Sequence, residues 1–304
     1  MKTVKLSSGR EMPLVGFGMY KLEKDACQGI IHKALSVGYR HFDGAAIYQN
    51  EAAVGQALKS SPVPRPLLFL TSKLWCTMQH PSLVPKAAEQ TLRDLQTDYL
   101  DLYLIHWPLP FDANADMSTK YDSEGRGVLR TDVTLVDTWR AMEALVDQGK
   151  VRSIGVSNFT IPKLQLLLDN CRIPPAVNQV ECHPYLQQDR LLRFCREKDI
   201  HVTAYAPLGS QQEPKVLEDP VVVELAEKHG ITAAQLCLKW ALQRDCVVIP
   251  KTSQVERVEE NWKSHQVPDL SPEEMGKMAS LERKHRFFDP MEWWKVDCFD
   301  DDSY

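Results

Sequence analysis

The stretch GYRHFDGAAIYQNE, residues 38–51, sets an acid and a phenol close together at the end of a short apolar run. Phe42 and Asp43 close a strand, residues 44–47 make the turn that leads to Tyr48, and Asn50 stands where a helix running to Lys59 needs an N-cap. The same layout recurs twice downstream. LLFLTSKLW, residues 67–75, is an apolar strand ending in Lys73 and Trp75, and LDLYLIHWP, residues 100–108, ends in His106 and Trp107. Taken singly, each polar residue has an ordinary explanation: Asp43 as a cap, Lys73 as a solvated charge, His106 as a hydrogen-bonded strand end. Their shared position carries the information. Polar groups at the carboxyl ends of successive parallel strands converge on one mouth, where α/β folds place their sites.

Upstream, residues 4–6 and 11–13 flank Ser7-Ser8-Gly9 as a small hairpin expected to plug one end of a barrel. Residues 14–17 make a short strand ending at Gly18, and residues 25–36 have helical spacing through Ala26, Ile30, Ile31 and Ala34, stopped at Gly38. Downstream come a strand at 67–70, a helix at 81–95 and a strand at 100–105. The rhythm pauses at a long polar insertion, residues 108–133, which is expected to lie over the mouth. It resumes with a helix at 135–148 stopped by Gly149, strands at 153–156, 176–181, 201–206 and 247–249, and helices at 161–169, 189–198, 220–229, 232–244 and from Val255. Eight strand-to-helix steps, with apolar strands unbroken by polar alternation, predict a closed parallel (β/α)8 TIM barrel rather than an open sheet. The 304 residues suit one barrel domain over 1–304, since such barrels take about 250 residues plus insertions.

Composition bounds the partners. The net charge of -5 is mild and no basic block is present, so neither nucleic acid nor an anionic membrane is expected, and small molecules are. No apolar run approaches the roughly 18 residues of a membrane helix, and the opening MKTVKLSSGREMP has no hydrophobic signal core, which predicts a cytoplasmic protein. The eight cysteines contain no C-x-x-C pair and read as reduced thiols. Cys182-His183 invites a metal, but neighbours on a strand face opposite sides, so no metal is expected. Cys298, in the tail, is expected to be exposed and oxidation-sensitive.

No G-x-G-x-x-G follows the first strand, which argues against a Rossmann site. Ser157 and Asn158, Gln179 and Tyr205 end the fifth, sixth and seventh strands. Ser, Asn and Gln together supply donors and acceptors for a carboxamide, and Tyr205 an aromatic face for a flat heterocycle; caps and core-edge hydrogen bonds are the plain alternative. IPKTSQVERVEEN, residues 249–261, is sharper. Lys251, Thr252, Ser253 and Arg257 surround the start of the last helix, where free N–H groups and the positive dipole end favour a phosphomonoester.

Taken together, GYRHFDGAAIYQNE, TSKLW, LDLYLIHWP, GVSNF, NQVECHPYLQQ, TAYAPLG and IPKTSQVERVEEN resemble the aldo-keto reductases, NADPH-dependent (β/α)8 enzymes, in order and spacing along essentially the whole chain. The resemblance implies a catalytic tetrad of Asp43, Tyr48, Lys73 and His106. It implies that Ser157, Asn158 and Gln179 hold the nicotinamide carboxamide, that Tyr205 stacks on the ring, that Lys251, Thr252, Ser253 and Arg257 take the 2′-phosphate, and that Glu260 and Asn261 meet the adenine. A substrate pocket of Tyr20, Ile47, Trp75, Trp107, Phe111 and Trp293, under the C-terminal loop, goes with it. In the family's steroid double-bond reductases the His106 position is Glu, so histidine here argues for carbonyl reduction. Tyr20 stands where vertebrate aldose reductases have Trp. The tail RFFDPMEWW resembles that of fungal and plant-like aldose and xylose reductases, but Phe288 replaces their sugar-contacting Asn and favours small aldehydes or keto compounds with apolar surface. The implied activity is that of an NADP-linked alcohol dehydrogenase or aldose reductase, in a monomer or weak dimer. The alternatives are an NAD-linked polyol dehydrogenase running oxidatively, disfavoured by Lys251 with Arg257, and an NADPH-binding sensor or structural barrel.

Overall fold

The computed structural model describes residues 2–299. An antiparallel hairpin, β1 (Thr3–Lys5) with β2 (Glu11–Pro13), precedes eight parallel strands. These are β3 (Phe17–Gly18), β4 (His41–Asp43), β5 (Phe69–Leu74), β6 (Leu102–Ile105), β7 (Ile154–Ser157), β8 (Val177–Glu181), β9 (His201–Tyr205) and β10 (Val247–Val248), and each pairs with its neighbour in sequence. The ring closes between its first and last members. Val15 bridges Val248 in parallel, the Gly16 N–H donates to the Val248 carbonyl, the Val248 N–H to Leu14, and the Gly18 N–H to Pro250. Eight parallel strands joined in this way are the (β/α)8 barrel that the strand count predicts. Gly18 permits the closure, because a Cβ there would meet the Ile249 carbonyl oxygen at 2.7 Å.

The helices are α1 (Cys27–Val37), α2 (Glu51–Lys59), α3 (Val84–Asp94), α4 (Leu135–Asp147), α5 (Ile161–Asn170), α6 (Asp189–Glu197), α7 (Pro220–His229), α8 (Ala233–Gln243), α9 (Val255–Lys263), α10 (Pro272–Ala279) and α11 (Pro290–Trp294). Their apolar faces form one large cluster with the outward residues of the barrel; α1 contributes Ile30, Ile31 and Ala34, at the spacing that puts them on one side of a helix. Inside the barrel, Leu6 and Met12 from the hairpin join Phe69, Leu102, Leu104 and Val247 in a second cluster, so the hairpin seals the amino-terminal end as a plug.

Some boundaries differ from expectation, each for a local reason. The third barrel strand begins at Phe69 rather than Leu67 because Pro66 holds Arg65–Leu67 in a 3-10 turn. Helix α3 begins at Val84 rather than Pro81, since the Ser82 N–H and hydroxyl engage His80 Nδ1 in a turn of their own. Asn50 occupies the cap position of α2 without capping it; its amide donates to the Met19 and Leu22 carbonyls, both at 3.0 Å, and ties the loop after β3 to this helix. Helix α10 went unpredicted although Ser271 and Glu274 form a reciprocal capping box.

Residues 108–133 fold back on themselves through the antiparallel bridges Phe111–Leu129, Ala113–Thr119 and Tyr121–Gly127. The C-terminal segment holds this loop down. Trp294 of α11 sits 5.6 Å from Trp107 and 5.1 Å from Phe111 by ring centroids, and its carbonyl accepts from the Gly127 N–H. Cys298 is buried in the same aromatic cluster, with Sγ 4.0 Å from the Asn158 carbonyl oxygen, which overturns the expectation of an exposed thiol. All eight cysteines are free, and no metal-holding group of His, Cys, Asp and Glu occurs among the described residues. Nor is any described helix long and apolar enough to cross a membrane.

Candidate active site

The carboxyl ends of β4, β5 and β6 bring Asp43, Lys73 and His106 to one mouth, and the 3-10 turn Ala46–Tyr48 after β4 carries Tyr48 over them. Lys73 and Asp43 are both buried, with Nζ 2.5 Å from Asp43 Oδ1, and the ammonium also donates to the Gly44 carbonyl at 2.7 Å. The second carboxylate oxygen of Asp43 accepts from Gln179 Nε2 at 2.7 Å. Burial pushes the Lys73 ammonium toward deprotonation, but Asp43, followed by Tyr48, outweighs it and leaves the pKa raised. The lysine is therefore a fixed cation.

Tyr48 is half-buried, with Lys73 Nζ 5.3 Å from its ring centroid, His106 at 5.9 Å and Tyr20 at 5.0 Å between centroids. Burial raises the phenol's pKa; the charge of Lys73 opposes this and is the second influence, offset in turn by Asp43. The net direction is upward. The lysine's charge is already shared with a carboxylate at 2.5 Å, so Tyr48 stays a protonated phenol. His106 is held well below its ordinary pKa by burial and then by Lys73, so the ring is neutral, and its Nδ1 is buried without a hydrogen-bond partner.

On the adjoining strands, Ser157 Oγ donates to the Gln179 carbonyl at 2.8 Å. Asn158, at φ 65°, donates to the His106 carbonyl at 2.9 Å and accepts from the Tyr205 hydroxyl at 2.8 Å. These four residues thus form one network with the catalytic candidates. The side-chain amide oxygen of Gln179, unlike its backbone carbonyl, accepts no hydrogen bond from the described residues. Farther round the ring, Lys251 donates to Ser253 Oγ at 2.6 Å, Thr252 is buried and accepts from the Gln254 N–H at 3.0 Å, and Arg257 is exposed. Gln254 gives α9 no side-chain cap; the Arg257 N–H donates to the Gln254 carbonyl at 3.2 Å, and the Val255 and Glu256 N–H groups have no partner among the described residues. Glu260 faces α8, accepting from Thr232 at 2.8 Å, while Asn261 is buried. Lys21, which the sequence reading passed over, lies within electrostatic reach of Lys251, whose pKa is lowered first by burial, raised by Glu23 and lowered again by Lys21; a lone lysine in a turn gives no sequence signal.

Of the pocket residues, Tyr20, Ile47 and Trp293 are 44%, 38% and 43% exposed and form an open apolar rim. Trp75 lies 5.3 Å from His106, and Trp107 is buried 6.1 Å from Trp293. Phe111 is wholly buried against Trp294 and stands behind the wall rather than at its surface.

Residues 14–283 match the model of the aldo/keto reductase family. The chain belongs to the aldo/keto reductase family. This aldo/keto reductase is 45% identical to rat aldo-keto reductase family 1 member A1 over 95% of its own length and 92% of the relative's. It is equally 45% identical to an aldo/keto reductase of Synechocystis, covering 94% of this chain and 90% of that one. Its fold superposes on the aldose reductase of Schistosoma japonicum with a TM-score of 0.93, 38% identity and full coverage of both chains. An oxidoreductase built on this barrel is what the family membership establishes.

Proposed function

We propose that this chain reduces aldehydes and ketones to alcohols with NADPH, Tyr48 acting as general acid. The observation that carries the reading is the buried Lys73–Asp43 pair beneath a protonated Tyr48, with a neutral His106 across the same phenol. The donor set suits the cofactor: the unpartnered Gln179 oxygen with Ser157 and Asn158 for a carboxamide, Tyr205 for a ring, and Lys251, Ser253 and Arg257 at an uncapped helix start for a phosphate. NADPH, when bound, supplies the hydride to the carbonyl carbon.

The chain's own residues handle the proton. Tyr48 gives its phenolic proton to the carbonyl oxygen, and Lys73 stabilises the phenolate left behind. Asp43 keeps that ammonium charged and fixed, while Gln179 holds the other carboxylate oxygen in place. With Nδ1 enclosed, His106 turns its Nε2 edge to the substrate oxygen, where it orients the carbonyl and shares the developing charge. The apolar rim of Tyr20, Ile47 and Trp293 selects small carbonyl compounds with some apolar surface.

Loss of NADPH absorbance with a panel of aldehydes, aldoses and ketones tests the reading. Wild-type turnover is expected to exceed that of Tyr48→Phe by at least about a thousandfold, the scale of general-acid catalysis combined with a lost charge-stabilising contact, while the cofactor Kd stays within about twofold. Substantial turnover by the Phe variant would remove Tyr48 as the acid.

A further inference from the structure

Glu181 closes β8, two residues beyond Gln179 and on the same face of the strand, and its side chain is fully buried. A carboxylate at the carboxyl end of a barrel strand has the position of a catalytic group. This one is occupied otherwise. Oε1 accepts from His183 Nε2 at 2.9 Å and from the Phe287 N–H at 2.7 Å, and Oε2 accepts from the Phe288 N–H at 3.1 Å. The Tyr185 N–H donates to His183 Nδ1 at 3.3 Å, which assigns the ring proton to Nε2 and makes all three contacts proper donor-to-acceptor bonds. Three N–H groups around one buried carboxylate offset its desolvation.

The clasp separates two adjacent aromatic residues. Phe287 goes down into the core, 5.1 Å from His183, whereas Phe288 stays half-buried and stands edge-on to Tyr205 at 5.8 Å and 83°. Phe288 also lies 6.2 Å from Trp293 of the rim. The N–H groups of Arg283 and His285 both donate to the Tyr185 carbonyl, so the segment just beyond β8 holds the tail at two successive levels.

We propose that Glu181 is a positioning residue for substrate choice: by gripping the Phe287–Phe288 backbone it sets where Phe288 and Trp293 stand above Tyr205, and hence how bulky a carbonyl compound fits. The substrate half of this rests on the proposed reductase activity; the grip itself does not.

The test uses the full chain, with and without NADPH. Hydrogen exchange of residues 284–299 is measured alongside KM and kcat for a short aliphatic and a bulky aromatic aldehyde. Glu181→Gln is nearly isosteric but turns an amide N–H2 toward one of the backbone donors. It is expected to speed exchange in 284–299 by about tenfold, leaving β4 to β9 unchanged. KM for the aromatic aldehyde should shift by about fivefold or more, with kcat and the KM of the short aldehyde held within about twofold. His183→Ala, which removes one of three donors, should give the same pattern at smaller size. Phe288→Ala should reproduce the KM split without faster exchange at Phe287. Unchanged exchange in both clasp variants overturns the grip, and a uniform loss of kcat on both aldehydes overturns the role in substrate choice. A wild type that turns over neither aldehyde overturns the reductase reading and the substrate half with it, while the exchange result still decides the grip.

Discussion

Protonation at single residues gives the site its most direct test. His41 and His106 are both buried with pKa values pushed below the ordinary histidine value, burial being the largest cause for each. The folded state therefore binds fewer protons than the unfolded one at pH values between the lowered pKa and about 6.5, and stability is lost as pH falls through that window. Each such group adds a slope of up to about 1.4 kcal/mol per pH unit. Urea unfolding of wild type and His106→Gln between about pH 7.5 and pH 5 should show the shallower dependence in the variant, His41 supplying what remains. Parallel curves would mean that His106 is not held neutral by the fold. Burial favours the neutral form of Tyr48 as well, but for a phenol that shifts the pKa up, opposite to the two histidines. Its raised pKa keeps the phenol protonated through the neutral range. The four residues at the strand ends were legible as a converging set because parallel strands leave only one place for their last side chains to go. Lys73 beside Tyr48 reads in the sequence as lowering the phenol's pKa, whereas burial, with Asp43 already neutralising the lysine, leaves it raised.

At the scale of elements, the start of α9 is where cofactor choice should be decided. Arg257 is exposed, Lys251 and Ser253 are bonded to one another, and the helix has no side-chain cap. Arg257→Ala is expected to weaken NADPH by about tenfold or more, the scale of one charge-assisted phosphate contact, and NADH by less than about twofold. Titration of both nucleotides by fluorescence checks it, and equal losses would mean that the phosphate lies elsewhere. Elements whose role is set by nearby sequence were well read: the hairpin, the barrel strands and the stop at Gly38, which sits at φ 118° with Trp262 packed 2.8 Å from where a Cβ would be. Elements whose role is set by distant partners were not. Asn50 looks like a cap and instead reaches back to Met19 and Leu22; Cys298 looks like an exposed tail thiol and is instead buried in the cluster that also holds Trp107, Phe111 and Trp294. Glu181 has the address of a catalytic acid and none of its surroundings, because its three donors come from Phe287, Phe288 and a histidine ring whose orientation only the fold sets.

For the whole molecule, closure of the ring depends on a backbone approach at Gly18, where no side chain fits beside the Ile249 carbonyl oxygen. Gly18→Val should lower stability by about 2 kcal/mol or more, since a backbone oxygen cannot repack as a side chain can. The urea midpoint measures this, and an unchanged midpoint would show that the seam has slack. The seam also joins opposite ends of the barrel sequence, Leu14 to Gly18 on one side and Val247 to Pro250 on the other. A ribosome delivers the first of these early and the last of them late. Until residues 247–250 emerge, β3 has a bare edge of hydrogen-bonding groups that only β10 completes, and contacts this distant in sequence form slowly. Any sheet that pairs before that point is expected to carry an open edge, an aggregation hazard that ends only when one of the shortest strands of the barrel docks.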